Sequence, residues 1–314
     1  MSTDDKTTAS VVDSCACCGI AAVDDVKLNI CDGGCDLVKY CSVDCQVNHK
    51  EQHEEECKKR KVELHDKELF TQPDSSHRGE CPICCLPLSI DASKSFIMTC
   101  CSKSICIGCE YANTKREREQ GLEHRCAFCR ERKPKSNEEH IKRIMERVKK
   151  NDPVAMTDMG KLDYNKGDYD KALEYYTKPA ELGHVEAHCC LGTLYFKGDG
   201  VDKDEKKAVY HYEQAAIGGH PQPRVVLAIL EKKNDRPDRA AKHFIIAANL
   251  GCHVSLQQVK DFFVQGIVSK DEYAAALRGH QAAVNETKSA EREKGEAFYK
   301  ARDARLYARN PRNL

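Results

Sequence analysis

The sequence predicts a mainly α chain: two small modules stapled by side-chain chemistry, followed by an α-solenoid of helix-turn-helix repeats. Three observations predict it. Of the 20 cysteines, seventeen lie at or before Cys129. The same part is poor in large apolar residues, and modules of that size cannot bury enough surface to fold unaided. From about Asn137 the pattern changes to amphipathic helices rich in Ala, Leu, Tyr and Gly, with a motif recurring in the mid-thirties of residues, the mark of stacked helix pairs.

Composition removes several function classes. The chain has 314 residues, 50 Lys and Arg against 50 Asp and Glu, and hence no net charge. No global field draws in nucleic acid or an anionic membrane, which argues against both as partners. No apolar stretch approaches the ~20 residues of a membrane-spanning helix. The opening "MSTDDKTTASVVDS" lacks the charged start and apolar middle of a secretory signal, and residues 1–14 are expected to be disordered. A reducing compartment, cytoplasmic and/or nuclear, follows as the expectation. Thiols persist there, and metal binding is their use rather than disulfides. Structural zinc contributes ~10–16 kcal/mol in small finger peptides, enough to replace the missing core.

The first cluster runs Cys15-x2-Cys18, Cys31-x3-Cys35, Cys41-x3-Cys45, then His53-x3-Cys57. Eight candidate ligands suit two tetrahedral zinc ions. Gly33 and Gly34 permit a tight turn between Cys31 and Cys35. His53 and Cys57 sit four apart, on one helical face. The stretch "YCSVDCQVNHKEQHEEEC" resembles the MYND zinc finger, with that family's seven-residue gap between Cys45 and His53. The resemblance covers residues 15–57 and implies an interleaved cross-brace. Cys15, Cys18, Cys41 and Cys45 would hold one zinc; Cys31, Cys35, His53 and Cys57 the other. It departs from the family in the three-residue gap of Cys31–Cys35, where two is usual, and leaves Cys17 spare. The implied role is binding of proline-containing peptides, against a purely structural knot. "HKEQH" places His49 and His53 at zinc-protease spacing, but Lys50 stands where the general-base Glu belongs. "KKRK" at 58–61 opens a linker over 58–79, read as a short helix and then a flexible stretch. The run is either a solvated helix end or a nuclear signal.

The second cluster opens with Cys81-x2-Cys84 and closes with Cys126-x2-Cys129. Cys100, Cys101 and Cys106-x2-Cys109 lie between, and Cys85 is left over. "CPICC…CCSKSICIGC…CAFCR" resembles a RING finger, assigned to residues 80–133. In the common form a histidine stands where Lys103 is, and an ammonium cannot bind zinc. All-cysteine variants supply the way out: Cys81, Cys84, Cys106 and Cys109 would hold one ion, and Cys100, Cys101, Cys126 and Cys129 the other. His124 is a fallback ligand. The family's docking residues for a ubiquitin-charged conjugating enzyme map to Ile83 and Arg130, while Ala127 departs from the usual proline. Such ligases act by positioning a thioester, without a covalent intermediate of their own.

"KALEYYTKPAELGH" (171–184) aligns with "KAVYHYEQAAIGGH" (207–220) and "RAAKHFIIAANLGC" (239–252). Ala172, Ala208 and Ala240 mark close helix approaches; Tyr176, Tyr212 and Phe244 are packing residues. "LGTLYFKGDGV" (191–201) resembles Sel-1-like repeats, and the repeat region is assigned to 137–255. "KGDGV" lacks the Lys-Ser/Thr of a phosphate loop and reads as an inter-helix loop. His184 and His220 read as turn residues, because Cys252 takes their place in the third unit. Cys189 and Cys190 read as packing residues. Two further helices over 256–285 close the solenoid, the second capped by Ser269, and 286–314 is a charged, frayed tail. Such solenoids present curved surfaces to partners.

The combined resemblance implies a RING-type ubiquitin ligase binding four zinc ions, two per finger. Its partners would be a ubiquitin-conjugating enzyme, ubiquitin and a protein substrate recruited by the repeats. The alternative is a non-enzymatic zinc-finger and repeat scaffold. A methyltransferase, found beside MYND fingers in some proteins, has no separate domain left to house it here.

Overall fold

The computed structural model describes residues 14–20, 22 and 27–309, with side chains to 305. The expectation of disorder before Ser14 falls outside them, as do the last five residues of the tail. The chain forms two compact units, divided between Thr71 and Gln72.

In the first unit, β1 (Asn29–Ile30) pairs antiparallel with β2 (Lys39–Tyr40), Asn29 opposite Tyr40. Helix α1 (Val43–Leu69) follows, its N-terminus capped by Ser42, whose Oγ accepts from the Cys45 N–H. Neither Gly nor Pro interrupts residues 43–69, so the short helix expected from "KKRK" onward is one with the helix that carries His53 and Cys57. Most of its surface is charged and carries ion pairs: Lys58 with Glu54 at 2.8 Å, and Arg60 with Asp36 of the β1–β2 loop at 2.5 and 2.8 Å.

The second unit begins with a hairpin of β3 (Ser95–Met98) and β4 (Lys103–Cys106), followed by α2 (Ile107–Glu119). Leu88, Met98 and Ile105 form a small core among buried Cys81, Cys106 and Cys126. Next come α3 (Asn137–Val148), α4 (Pro153–Asn165), α5 (Tyr169–Glu181), α6 (Val185–Lys197), α7 (Glu205–Ile217), α8 (Pro221–Lys233) and α9 (Pro237–Asn249). The last are α10 (His253–Val264), α11 (Lys270–Glu286) and α12 (Ala290–Arg309). The pairs α4/α5, α6/α7 and α8/α9 pack within each repeat, and each pair packs on the next. The packing rule is small against aromatic. A Cβ on Gly160 would come 2.4 Å from Tyr176, and one on Gly192 2.6 Å from Tyr212. Ala228 takes the same place in the third repeat, in one cluster with Phe244. Ala172, Ala208 and Ala240 are fully buried. "KGDGV" lies between α6 and α7, with Gly198 as the left-handed cap of α6. Ser269 caps α11 in a reciprocal capping box with Glu272.

Two segments differ from expectation. Residues 72–79 are not a free linker: the His77 N–H donates to the Gly219 carbonyl at 3.1 Å, and its ring stacks on His220 with centroids 3.9 Å apart. The charged tail is not frayed over α12, which packs on α2. Gly108 and Gly295 let the backbones meet, since a Cβ on either would lie 2.7 Å from the opposite main chain. Arg292, nearly fully buried, donates to the carbonyls of Pro87 (2.6 Å) and Leu86 (3.1 Å) and reaches Cys84 Sγ at 3.5 Å. Apart from Arg292 the charges of α12 lie mostly at the surface, and the few inward side chains are too sparse to read as a helix face.

Burial also sets an acid limit on the solenoid. It holds His184, His188, His220 and His280 below the ordinary imidazole range, and pushes His211 down to about 4 and His243 to about 3. The folded state therefore keeps these rings neutral, while the unfolded chain takes up protons near the ordinary value of about 6.5. Their contribution is fully present above that value and is lost as pH falls from about 6.5 toward 4. Urea unfolding followed by helical circular dichroism should show stability declining steadily between pH 7 and 5. His211→Gln should flatten that slope.

Candidate metal centres

In the first unit the end of β2 and the first turn of α1 present Cys41 and Cys45, and the next turns of α1 present His53 and Cys57. Cys15, Cys18, Cys41 and Cys45 come together, as do Cys31, Cys35, His53 and Cys57. Within each group all ligand atoms lie within 4.8 Å of one another. Cys18 and Cys41 are 3.5 Å apart at sulfur, Cys41 and Cys45 3.6 Å, Cys31 and Cys57 3.8 Å, and Cys35 Sγ lies 3.0 Å from His53 Nε2. Four sulfurs at ~2.3 Å around a tetrahedral zinc stand ~3.8 Å apart, whereas a disulfide would hold them at ~2.05 Å. The sulfur spacing is thus that of ligands, and every described cysteine is a free thiol. The wider Cys31–Cys35 gap is accommodated by its glycines. Gly34 has φ +75°, and a Cβ on Gly33 would sit 2.6 Å from Cys57 Sγ and 3.0 Å from Cys31 Sγ. The Gly33 N–H instead donates to Cys31 Sγ at 3.3 Å. His49 stacks on His53 with centroids 6.0 Å apart but shares a hydrogen bond with the Tyr40 hydroxyl at 3.0 Å and stands outside both ligand groups. Cys17 is exposed and outside both groups.

In the second unit Cys81, Cys84, Cys106 and Cys109 form one group, and Cys100, Cys101, Cys126 and Cys129 another. Cys84 and Cys106 are 3.7 Å apart at sulfur, Cys101 and Cys126 4.0 Å, and Cys100 and Cys129 3.3 Å. The adjacent pair Cys100–Cys101 reaches one group because the hairpin tip folds tightly. The N–H groups of Cys101 and Ser102 both donate to the Met98 carbonyl, and Ser102 has φ +53°. Arg147 braces this tip from α3, donating to Ser102 Oγ at 2.7 Å and to the Cys100 carbonyl at 3.4 Å. Lys103 is exposed at the start of β4. His124 is paired with Glu117 at 3.2 Å and stands outside the group, as does exposed Cys85. Ile83 is 42% exposed. Arg130 keeps 44% of its side chain exposed but donates to Asn113 Oδ1 at 2.7 Å and lies 3.7 Å from fully buried Glu117, tying the last loop to α2.

The chemistry of the donor sets fits a soft or borderline dication. With thiols alone the protons are shared. Burial pushes the Cys101 thiol up to about 11 and the Cys109 thiol to about 12, while Cys106 donates to Cys81 and brings it down to about 4. Four neighbouring thiolates repel unless a cation sits among them. All-sulfur and three-sulfur-one-imidazole tetrahedra are structural zinc sets, with no ligand position left open for a substrate.

A fifth group, His77, Glu186 and His220, escaped the sequence reading because its members are far apart in the chain. Both imidazole Nε2 atoms approach Glu186 Oε2, at 3.4 and 3.3 Å, and Lys161 pairs with the other carboxylate oxygen. His220 Nδ1 accepts from the Gln222 N–H as the cap of α8. The neutral ring therefore carries its proton on Nε2 and donates it to Glu186. This is a hydrogen-bonded joint between residues 72–79 and the repeats, with His220 at the turn before α8.

Residues 15–57 match the MYND finger family, and residues 153–184, 185–220 and 231–252 match the Sel1 repeat family. The exopolysaccharide production negative regulator of Rhizobium meliloti (strain 1021) is 34% identical over 72 residues, 23% of this chain and 27% of that protein. The chain thus spans about a quarter of that relative's length. Among solved structures, a Sel1 repeat protein from Oxalobacter formigenes aligns with TM-score 0.42 and 20% identity over 54% of this chain and 50% of that one. The protective antigen c5321 of uropathogenic Escherichia coli, which displays an SLR fold, aligns with TM-score 0.41 and 19% identity over 56% of this chain and 37% of that one. The chain therefore carries a MYND finger and three Sel1 repeats.

Native mass spectrometry of zinc-loaded protein should show one ion fewer for Cys101→Ser than for the parent. His124→Ala should leave the count unchanged; loss of an ion there would make the imidazole a ligand.

Proposed function

We propose that this chain is a zinc-binding scaffold for protein–protein interaction, whose two fingers hold two zinc ions each in the four cysteine-rich groups. In this reading residues 15–57 and 80–133 are the fingers, 137–255 the repeats and 256–285 the closing helices, working in the cytoplasm or nucleus, where thiols stay reduced. The observation that carries the reading is the presence, on one chain, of a MYND finger and a Sel1 solenoid, two modules whose output is partner binding. The finger supports it with a cavity of about 450 Å³ beside Tyr40, Val47 and Lys50, and with Val43 and Val47 exposed on α1. A proline-containing peptide suits such a surface, because its stiff backbone loses little entropy on docking. The curved face of the repeats would take a second protein.

A second reading, ubiquitin transfer by a RING-type finger over 80–133, is favoured by exposed Ile83 together with exposed Phe128 on the last metal loop. Docking of a conjugating enzyme needs such apolar residues unpartnered. The hold of Asn113 and Glu117 on Arg130 weighs the other way, since it gives that guanidinium a task within the module.

Fluorescence anisotropy with a proline-rich peptide tests the first reading. Zinc-loaded protein should bind, Val47→Glu should weaken binding about tenfold or more, and chelation should abolish it. Autoubiquitination across a panel of conjugating enzymes separates the two. Chains formed by the parent but not by Ile83→Ala or Arg130→Ala, at equal zinc content, would establish the ligase; no chains from any enzyme leaves the scaffold.

A further inference from the structure

A cavity of about 580 Å³ lies between the second cysteine module, the segment after its last metal loop, and α12. It is well within the range of ligand pockets. Its walls are aromatic: Phe96 and Tyr299 stand 5.1 Å apart at their ring centroids, and Phe298 and Tyr299 also 5.1 Å, nearly edge to face. Its rim is basic. Arg118 lies over the Phe298 ring at 5.4 Å and Arg302 over Tyr299 at 4.7 Å, both exposed, and Lys135 stands exposed beside them.

The charges on this rim do not cancel. Lys133 is spent on Glu110, Arg132 on Glu139, and Glu123 on Arg125. Arg302 has only an exposed neighbour, Asp303, and Arg118 and Lys135 form no ion pair among the described residues. An anionic guest is therefore favoured at the rim. The lining adds an apolar demand, set by the half-buried rings of Phe96 and Phe298. An aromatic side chain packs against them, while flanking carboxylates reach the cations.

We propose that this cleft binds an acidic peptide segment through an inserted tyrosine, whose ring packs against Phe96 and Phe298 and whose neighbouring carboxylates pair with Arg118, Lys135 and Arg302. It deepens the scaffold reading, on which the expectation of a peptide partner rests, but uses a surface separate from the MYND finger and the helix pairs.

The test is anisotropy of a fluorescein-labelled peptide with one tyrosine flanked by two glutamates on each side, on the full zinc-loaded chain. Binding should weaken as salt rises. It should fall about tenfold or more with Arg118→Glu plus Lys135→Glu, both exposed substitutions, and by a similar factor when lysines replace the glutamates of the peptide. Replacing the tyrosine by alanine should cost several-fold. Circular dichroism and zinc content confirm that each variant is folded. Equal binding of the lysine peptide, indifference to the charge reversals, or equal binding of a polyglutamate without tyrosine would overturn the proposal. The proline-rich peptide is run on the same samples. If it binds and the tyrosine peptide does not, the cleft proposal alone falls; if the reverse, the cleft stands and the reading of the MYND finger fails.

Discussion

Four ligand atoms converging on one point is the arrangement from which the N-terminal part of this chain takes its shape. Sulfurs at 3.3–4.0 Å stand at ligand spacing, and four thiolates so close would repel unless a cation sat among them. The convergence goes with the loop conformations around it: the left-handed Gly34, the tight hairpin tip at Cys100–Ser102 and the positive φ of Arg130. It also replaces a core. The second module buries three aliphatic side chains, Leu88, Met98 and Ile105, among its cysteines, far too little apolar surface for a module of fifty residues to stand on.

The metal loops in turn are anchored to the helices. Arg292 of α12 spends its guanidinium on the carbonyls and sulfur of the first loop, and Arg147 of α3 spends its own on the tip that carries Cys100. Both arginines bring carbonyls and thiolates a delocalised charge with fixed donor geometry. His77, locked between Gly219 and Glu186, supplies a third tie. The second module is thereby part of the same unit as the repeats, and a partner held on the repeats would stand in a defined relation to Ile83 and the aromatic cleft. The first unit has its own helix and its own pair of ligand groups.

Sequence spacing was informative wherever the constraint is local. Cysteine pairs two or three apart, His53 and Cys57 one turn apart, and the alanines and aromatics of the repeats all follow from turn or helix geometry. The sets of four that the two resemblances imply are ones whose ligand atoms lie within 4.8 Å of one another. What could not be read were contacts across long separations. The α12–α2 packing rests on Gly108 and Gly295, and a glycine in a charged segment looks like a breaker until its neighbour is known. His77 looked like part of a flexible linker because its partners are more than a hundred residues away. The short helix expected at the start of 58–79 is the continuation of the helix that carries His53 and Cys57, since no breaker occurs before Pro73.

The account turns on how metal is held, and X-ray absorption at the zinc edge of the fully loaded chain reports that directly. Fifteen cysteines and one histidine make up the four finger groups. With one zinc in each, the averaged first shell should contain between three and four sulfurs at ~2.3 Å and a minor nitrogen component at ~2.0 Å. A shell with three or fewer sulfurs, and oxygen or nitrogen making up the rest, would mean that at least one group is open or mispaired, and would contradict the closed structural fingers on which the scaffold reading rests.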